Sequence, residues 1–180
     1  MSINFDIPSV NRAEAKRFLE SNPYQCSLSN FACPGELILL ASKTDDTEVI
    51  NLISNTDNPE TTEVLYQVKS QKVLGFNGFD NCVEISVWRG VTDNYDEIRS
   101  RFIRAYFEQV LESCSIVIPQ EQTKGAKAFW VRRMSAAILN SKHQVFIFDK
   151  ETGRSEQLND HDELVTAWYS GRYTFLISLI

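Results

Sequence analysis

"TEVLYQVKSQKVLGFNGFDNCVEISVWRG", residues 62 to 90, is the stretch whose reading decides the fold class. In "TEVLYQVKS", Val64, Tyr66 and Val68 alternate with polar neighbours, which is the period of a half-buried strand. "KVLGF" and "CVEISVWRG" flank "NGFDN", whose Asn-Gly pair can take the positive φ angles of a tight hairpin. These segments predict an antiparallel meander of three strands from about residue 62 to 89.

Outward from the meander, helices and hairpins alternate. Asn11 to Glu20 reads as a first helix, with Asn11 as N-cap and Glu14 as its capping-box partner. "ELILLAS", 36 to 42, is a buried strand, and Thr44 to Asn55 suits a helix with Val49, Leu52 and Ile53 on one face. "NTDNPETT" is a polar surface loop. The longest helix runs from Tyr95 to Ser113, capped by Asn94 and Glu97, with Ile98, Phe102, Tyr106 and Val110 as its buried stripe.

The last third continues that pattern. "SIVI" is a strand, and Ala126 to Ser141 is a helix with Trp130, Met134, Ala137 and Ile138 inward. "HQVFIFDKETGRSEQL" is a hairpin turning at Asp149 to Gly153. A short helix capped by Asn159 or Asp160 stops at Gly171, and "RYTFLISLI" is the final strand. With few βαβ units, the expectation is α+β: one domain over 1–180, with three to five helices on a largely antiparallel twisted sheet.

Composition bounds the function. The chain has 180 residues, 43% hydrophobic and 23% charged, with 17 Phe or Tyr and 3 Trp to pack a core. No apolar run approaches the roughly 20 residues of a membrane span, and the start lacks a secretory-signal layout. A cytoplasmic protein with no membrane partner is expected. The net charge of −6 argues against general nucleic-acid affinity. Cys26, Cys33, Cys82 and Cys114 have no zinc-ligand spacing and read as reduced thiols, and with only His143 and His161 no metal or other cofactor is expected.

The sharpest candidate site is "IPQEQTKGAKAFW", 118 to 130. A helix N-terminus offers free N–H groups and a partial positive charge, and Lys124 and Lys127 add full ones. The stretch resembles the phosphate turn of the acyl-CoA-dependent N-acetyltransferases, which reads Gln or Arg, two residues, Gly, one residue, then Gly or Ala. Gln122 and Gly125 match, and Lys127 stands at the last position. The order meander, helix, strand, helix, hairpin is similar to that fold, whose phosphate turn directly follows the meander. Here "RGVTDNYDEIRSRF" occupies that place. A parallel pair of strands beside Gln122 to Ala128 is what the resemblance implies.

Two fainter resemblances concern other chemistries. Cys26 in "YQCSLS" and Asp149 in "FIFDKETG" are similar to the Cys and Asp of papain-like cysteine hydrolases. Their His has no counterpart here, because His143 would sit about 20 Å along the strand from Asp149 at ~3.3 Å per residue. "SVWRGV" resembles the Arg-Gly strand end of mono-ADP-ribosyltransferases, without that family's Ser-Thr-Ser strand or Glu-x-Glu turn; Arg89 reads as a strand end reaching solvent.

Lastly, residues 86 to 133 hold eight Lys or Arg against six Asp or Glu. Arg99, Arg101 and Arg104 lie on the long helix, and Arg132 and Arg133 on the next. The expectation is a non-catalytic protein-interaction module of effector, adaptor or immunity type. It would recognise an acidic protein through Arg101, Arg104, Lys124, Gly125, Lys127, Arg132 and Arg133. The alternatives are an acyl-CoA-dependent N-acyltransferase with its phosphate turn at Gln122 to Ala128, and a papain-like hydrolase or its inactive relative.

Overall fold

The computed structural model describes residues 7–54, 58, 60–74, 76, 78–90, 95–118 and 124–180, with only the backbone of 124 and 125. Among them are four helices and nine strands in the order α1(Pro8–Glu20), β1(Tyr24–Gln25), β2(Leu37–Lys43), β3(Thr47–Ser54), β4(Glu63–Val73), β5(Cys82–Arg89), α2(Asp96–Leu111), β6(Ser115–Ile118), α3(Lys124–Ile138), β7(His143–Asp149), β8(Ser155–Leu158), α4(His161–Ser170) and β9(Tyr173–Leu179). The strands form one mixed, mostly antiparallel sheet of order β1-β2-β3-β4-β5-β6-β9-β7-β8, so the fold is α+β. The chain divides into two compact units, residues 1–70 with 86–109, and residues 71–85 with 110–180.

In the first unit α1 is pinned by Asn11. Its side chain donates from Nδ2 to the Val64 carbonyl at 3.0 Å and accepts from the Val64 N–H at 2.8 Å. Asn11 is therefore not an N-cap. The helix begins earlier, at Pro8 after Ile7, where proline's missing N–H costs no helix hydrogen bond. Ala15 packs on Val64 and Trp88 beneath it.

The expected helix over 44–55 is instead strand β3. Thr44 and Thr47 close a tight turn, the Thr44 N–H donating to the Thr47 carbonyl at 2.8 Å, and Lys43 lies opposite Glu48. Val49, Leu52 and Ile53 fit a helical face, but a run rich in β-branched residues directly after a two-residue turn pairs more readily as a hairpin. Phe102 on α2 meets Phe31 and Tyr66 edge-on, with ring centroids 5.7 and 5.4 Å apart. The Asn94 cap of α2 lies outside the described residues.

In the second unit, residues 71–85 close a hairpin. Phe76 and Phe79 exchange backbone hydrogen bonds at 3.0 Å, and Gly78 takes φ +94°. The two strands expected before this turn are one strand, β4. Phe76 meets Phe148 at 4.5 Å, over a core of Cys82, Val117 and Leu176. β6 pairs in parallel with β5, from Cys82 opposite Ser115 to Glu84 opposite Val117. On its other side β6 pairs antiparallel with β9, which pairs antiparallel with β7. Helix α4 carries a full capping box: Asp160 Oδ1 accepts from the Glu163 N–H, and Glu163 Oε2 from the Asn159 N–H. Gly171, at φ +68°, ends it. No helix among the described residues is long and apolar enough to cross a membrane.

Candidate functional site

Two regions carry chemistry, one in each unit. In the first, the chain leaves β5 through Gly90 and enters α2 at Asp96. The Gly90 N–H donates to the Leu65 carbonyl at 2.9 Å, and the Gly90 carbonyl accepts from Arg99 Nη1 at 3.1 Å. The same nitrogen lies 3.0 Å from Asp96 Oδ1. Arg99 is 3% exposed and so does not belong to a surface strip. Its guanidinium ties the first turn of α2 to the end of β5. Residues 91–94 between them lie outside the described set.

On the same helix, Arg101 and Arg104 are exposed at i, i+3 spacing. Among the described residues neither makes an ion pair; the carboxylate of Asp96 is used by Arg99 instead. Arg89 ends β5 exposed, as expected.

In the second unit, Lys124 and Gly125 lie in the first turn of α3 rather than in a turn before it, and Gln122 lies outside the described residues. The helix starts two residues earlier than its apolar periodicity indicates. Arg132 is exposed, whereas Arg133 is half-buried with its guanidinium 5.5 Å from the Phe129 ring centroid. Arg101 and Arg104 belong to one unit and Arg132 and Arg133 to the other.

Lys127 reaches a pocket that the sequence did not indicate. Its volume is about 180 Å³. Ile118 at the end of β6 and Phe175 opposite it on β9 form the apolar base. Trp168 packs against Phe175 with ring centroids 5.0 Å apart, and Tyr169 and Tyr173 complete the aromatic lining. Among the described residues of that lining, Lys127 and Lys150 are charged and none is a carboxylate.

The turn carrying Lys150 is held by Asp149. Asp149 Oδ1 accepts from the Glu151 N–H at 2.9 Å and the Thr152 N–H at 3.3 Å, while Oδ2 accepts from Arg172. The hydrogen bond from Arg172, aided by the turn N–H groups, holds the Asp149 carboxyl well below the usual carboxylate range. Arg172 also lies 3.8 Å from Glu151. The two carboxylates flanking Lys150 are thus taken by Arg172. Lys150 itself donates to the Gly171 carbonyl at 3.4 Å, a neutral acceptor at the C-terminus of α4.

Two nucleophile candidates lack activation. Burial first, then Glu48 and Cys33, push the Cys26 thiol up to about 11, the opposite of a reactive thiolate. Ser135 Oγ lies 2.8 Å from His161 Nδ1, a pair the sequence analysis missed because the residues are 26 apart. The same hydroxyl donates to the Val131 carbonyl at 2.8 Å. With its one proton on the Val131 carbonyl, Ser135 Oγ is an acceptor for the His161 imidazole. The contact fastens α3 to α4. All four cysteines are free thiols, and no cluster of three or more His, Cys, Asp or Glu among the described residues could hold a metal.

No protein-family model, curated protein or solved structure matches the chain.

Proposed function

We propose that this protein is an acyl-CoA-dependent N-acyltransferase. One observation carries the reading: β5, α2 and β6 form a parallel crossover inside an otherwise largely antiparallel sheet, and β6 leads toward α3. That element order is like the one implied by the resemblance of the chain to acyl-CoA-dependent N-acetyltransferases; the parallel pair joins Cys82–Glu84 to Ser115–Val117, and Gln122, beside which the resemblance sets such a pair, lies outside the described residues. The corner at Gly90, Arg99 and Asp96 supports the reading further. It ties the end of β5 to the N-terminus of α2, and a helix N-terminus after a strand is where such enzymes hold the cofactor's phosphates; the turn matched in sequence, Gln122 to Ala128, instead leads into α3.

The test has two parts. Acetyl-CoA should raise the melting temperature, and incubation with a panel of primary amines should release free CoA thiol, detected with a disulfide chromophore. Absence of both a thermal shift and thiol release at millimolar acetyl-CoA removes the reading.

A second reading has its own observation. Arg101 and Arg104 form an exposed pair on α2 with no ion-pair partner among the described residues. Such a pair suits a docking contact for an acidic protein. Salt-sensitive retention on immobilised polyglutamate that is lost in the Arg101→Gln/Arg104→Gln variant would support it. Retention unchanged by the substitutions would not.

A further inference from the structure

The pocket at Lys127 and Lys150 has a chemistry of its own. We propose that it binds a small aromatic anion: a single ring bearing one phosphate or carboxylate group. The inference stands apart from the acyltransferase reading, since it concerns binding within the second unit and requires no thioester.

Three features lead to this ligand class. The first is charge. Among the described residues that line the pocket, Lys127 and Lys150 are the charged ones, and Asp149 and Glu151, the acidic neighbours of Lys150, both lie against Arg172. A bound anion would accept charge-assisted hydrogen bonds from these ammonium groups. The second is surface. Tyr169 is 80% exposed at this pocket, while Trp168 is fixed beneath by Phe175. A planar ring covers that apolar surface and stacks on it. The third is size. A volume of about 180 Å³ suits a single ring with its one anionic group and not a dinucleotide.

The placement is also firm. Lys150 sits on a turn held by three hydrogen bonds to Asp149, and its ammonium is directed by the Gly171 carbonyl. Lys127 rises from the first turn of α3, whose positive end favours an anion nearby.

The test is calorimetric titration of the full chain with phenyl phosphate, benzoate, inorganic phosphate and benzyl alcohol. Phenyl phosphate and benzoate should bind saturably, each at least tenfold tighter than benzyl alcohol or inorganic phosphate. Lys127→Gln and Lys150→Gln should each weaken phenyl phosphate about tenfold, without lowering the melting temperature. Tyr169→Ala should weaken the two ring-bearing anions and leave inorganic phosphate unchanged. The proposal is overturned by no saturable binding, by benzyl alcohol binding as tightly as phenyl phosphate, or by affinity unchanged in both lysine variants.

Discussion

Arg99 donates from Nη1 to the Gly90 carbonyl at 3.1 Å, so an arginine that the helical pattern places among surface charges is a buried strut between β5 and α2. Its two neighbours in the pattern, Arg101 and Arg104, are exposed. Truncating the strut leaves the buried Gly90 carbonyl without this donor and opens space around it. Arg99→Ala is expected to cost about 2–4 kcal/mol, whereas Arg101→Gln and Arg104→Gln should stay within about 0.5 kcal/mol. Urea unfolding of the three variants checks this, and equal losses in all three would contradict it.

Asn11 makes a comparable prediction at α1. Its amide satisfies both the N–H and the C=O of Val64 in a buried setting. Asn11→Ala orphans both groups and should destabilise by about 2–4 kcal/mol. A helix cap would cost only about 1 kcal/mol. Equilibrium denaturation distinguishes the two roles.

Both residues show where the sequence stopped being legible. Local signals were readable: the Asp160–Glu163 capping box, the Gly171 stop and the turn ending at Gly153 are complete within a few residues. The role of Asn11 depends on a partner 53 residues away, so its residue type suggested a cap that does not exist. The apolar spacing of β3 fits both periods, and what decides between them is the Thr44–Thr47 turn, whose closing hydrogen bond is a property of the folded hairpin. At the pocket, Lys127 was singled out from sequence. Lys150, just after β7, and Trp168 and Tyr169, on α4, join it only in the folded chain, where Trp168 packs on Phe175 of β9.

The Asp149–Arg172 pair sets an acid limb. The Asp149 carboxyl is held below its ordinary value in the folded state, so the unfolded chain takes up the proton first as pH falls. The pair's contribution to stability is complete above the usual carboxylate pKa of about 4 and is lost as pH drops below it. Asp149→Asn should melt below the wild type at pH 7, with the gap narrowing below about pH 4. Melting temperatures recorded from pH 7 to pH 2.5 check this. A gap that stays constant or widens in acid would contradict the assignment.

Cys26 should be a slow thiol. At a pKa of about 11 it carries on the order of 100-fold less thiolate at neutral pH than an unperturbed cysteine. Glu48→Gln removes one cause of the elevation and should speed alkylation at pH 8. Site-resolved iodoacetamide labelling by mass spectrometry measures both. Preferential labelling of Cys26 at pH 6 would contradict the account and return a nucleophilic role to it.

The acyltransferase reading is tested most directly by the melting temperature of the full chain with and without acetyl-CoA. A ligand at 100 times its Kd stabilises the native state by about 2.7 kcal/mol, which for a chain of this size raises Tm by roughly 5–10 °C. The expected result is a saturable shift of that order at millimolar acetyl-CoA, reduced in Arg99→Met, which loosens the segment between β5 and α2. An unchanged melting temperature across the whole titration would contradict it.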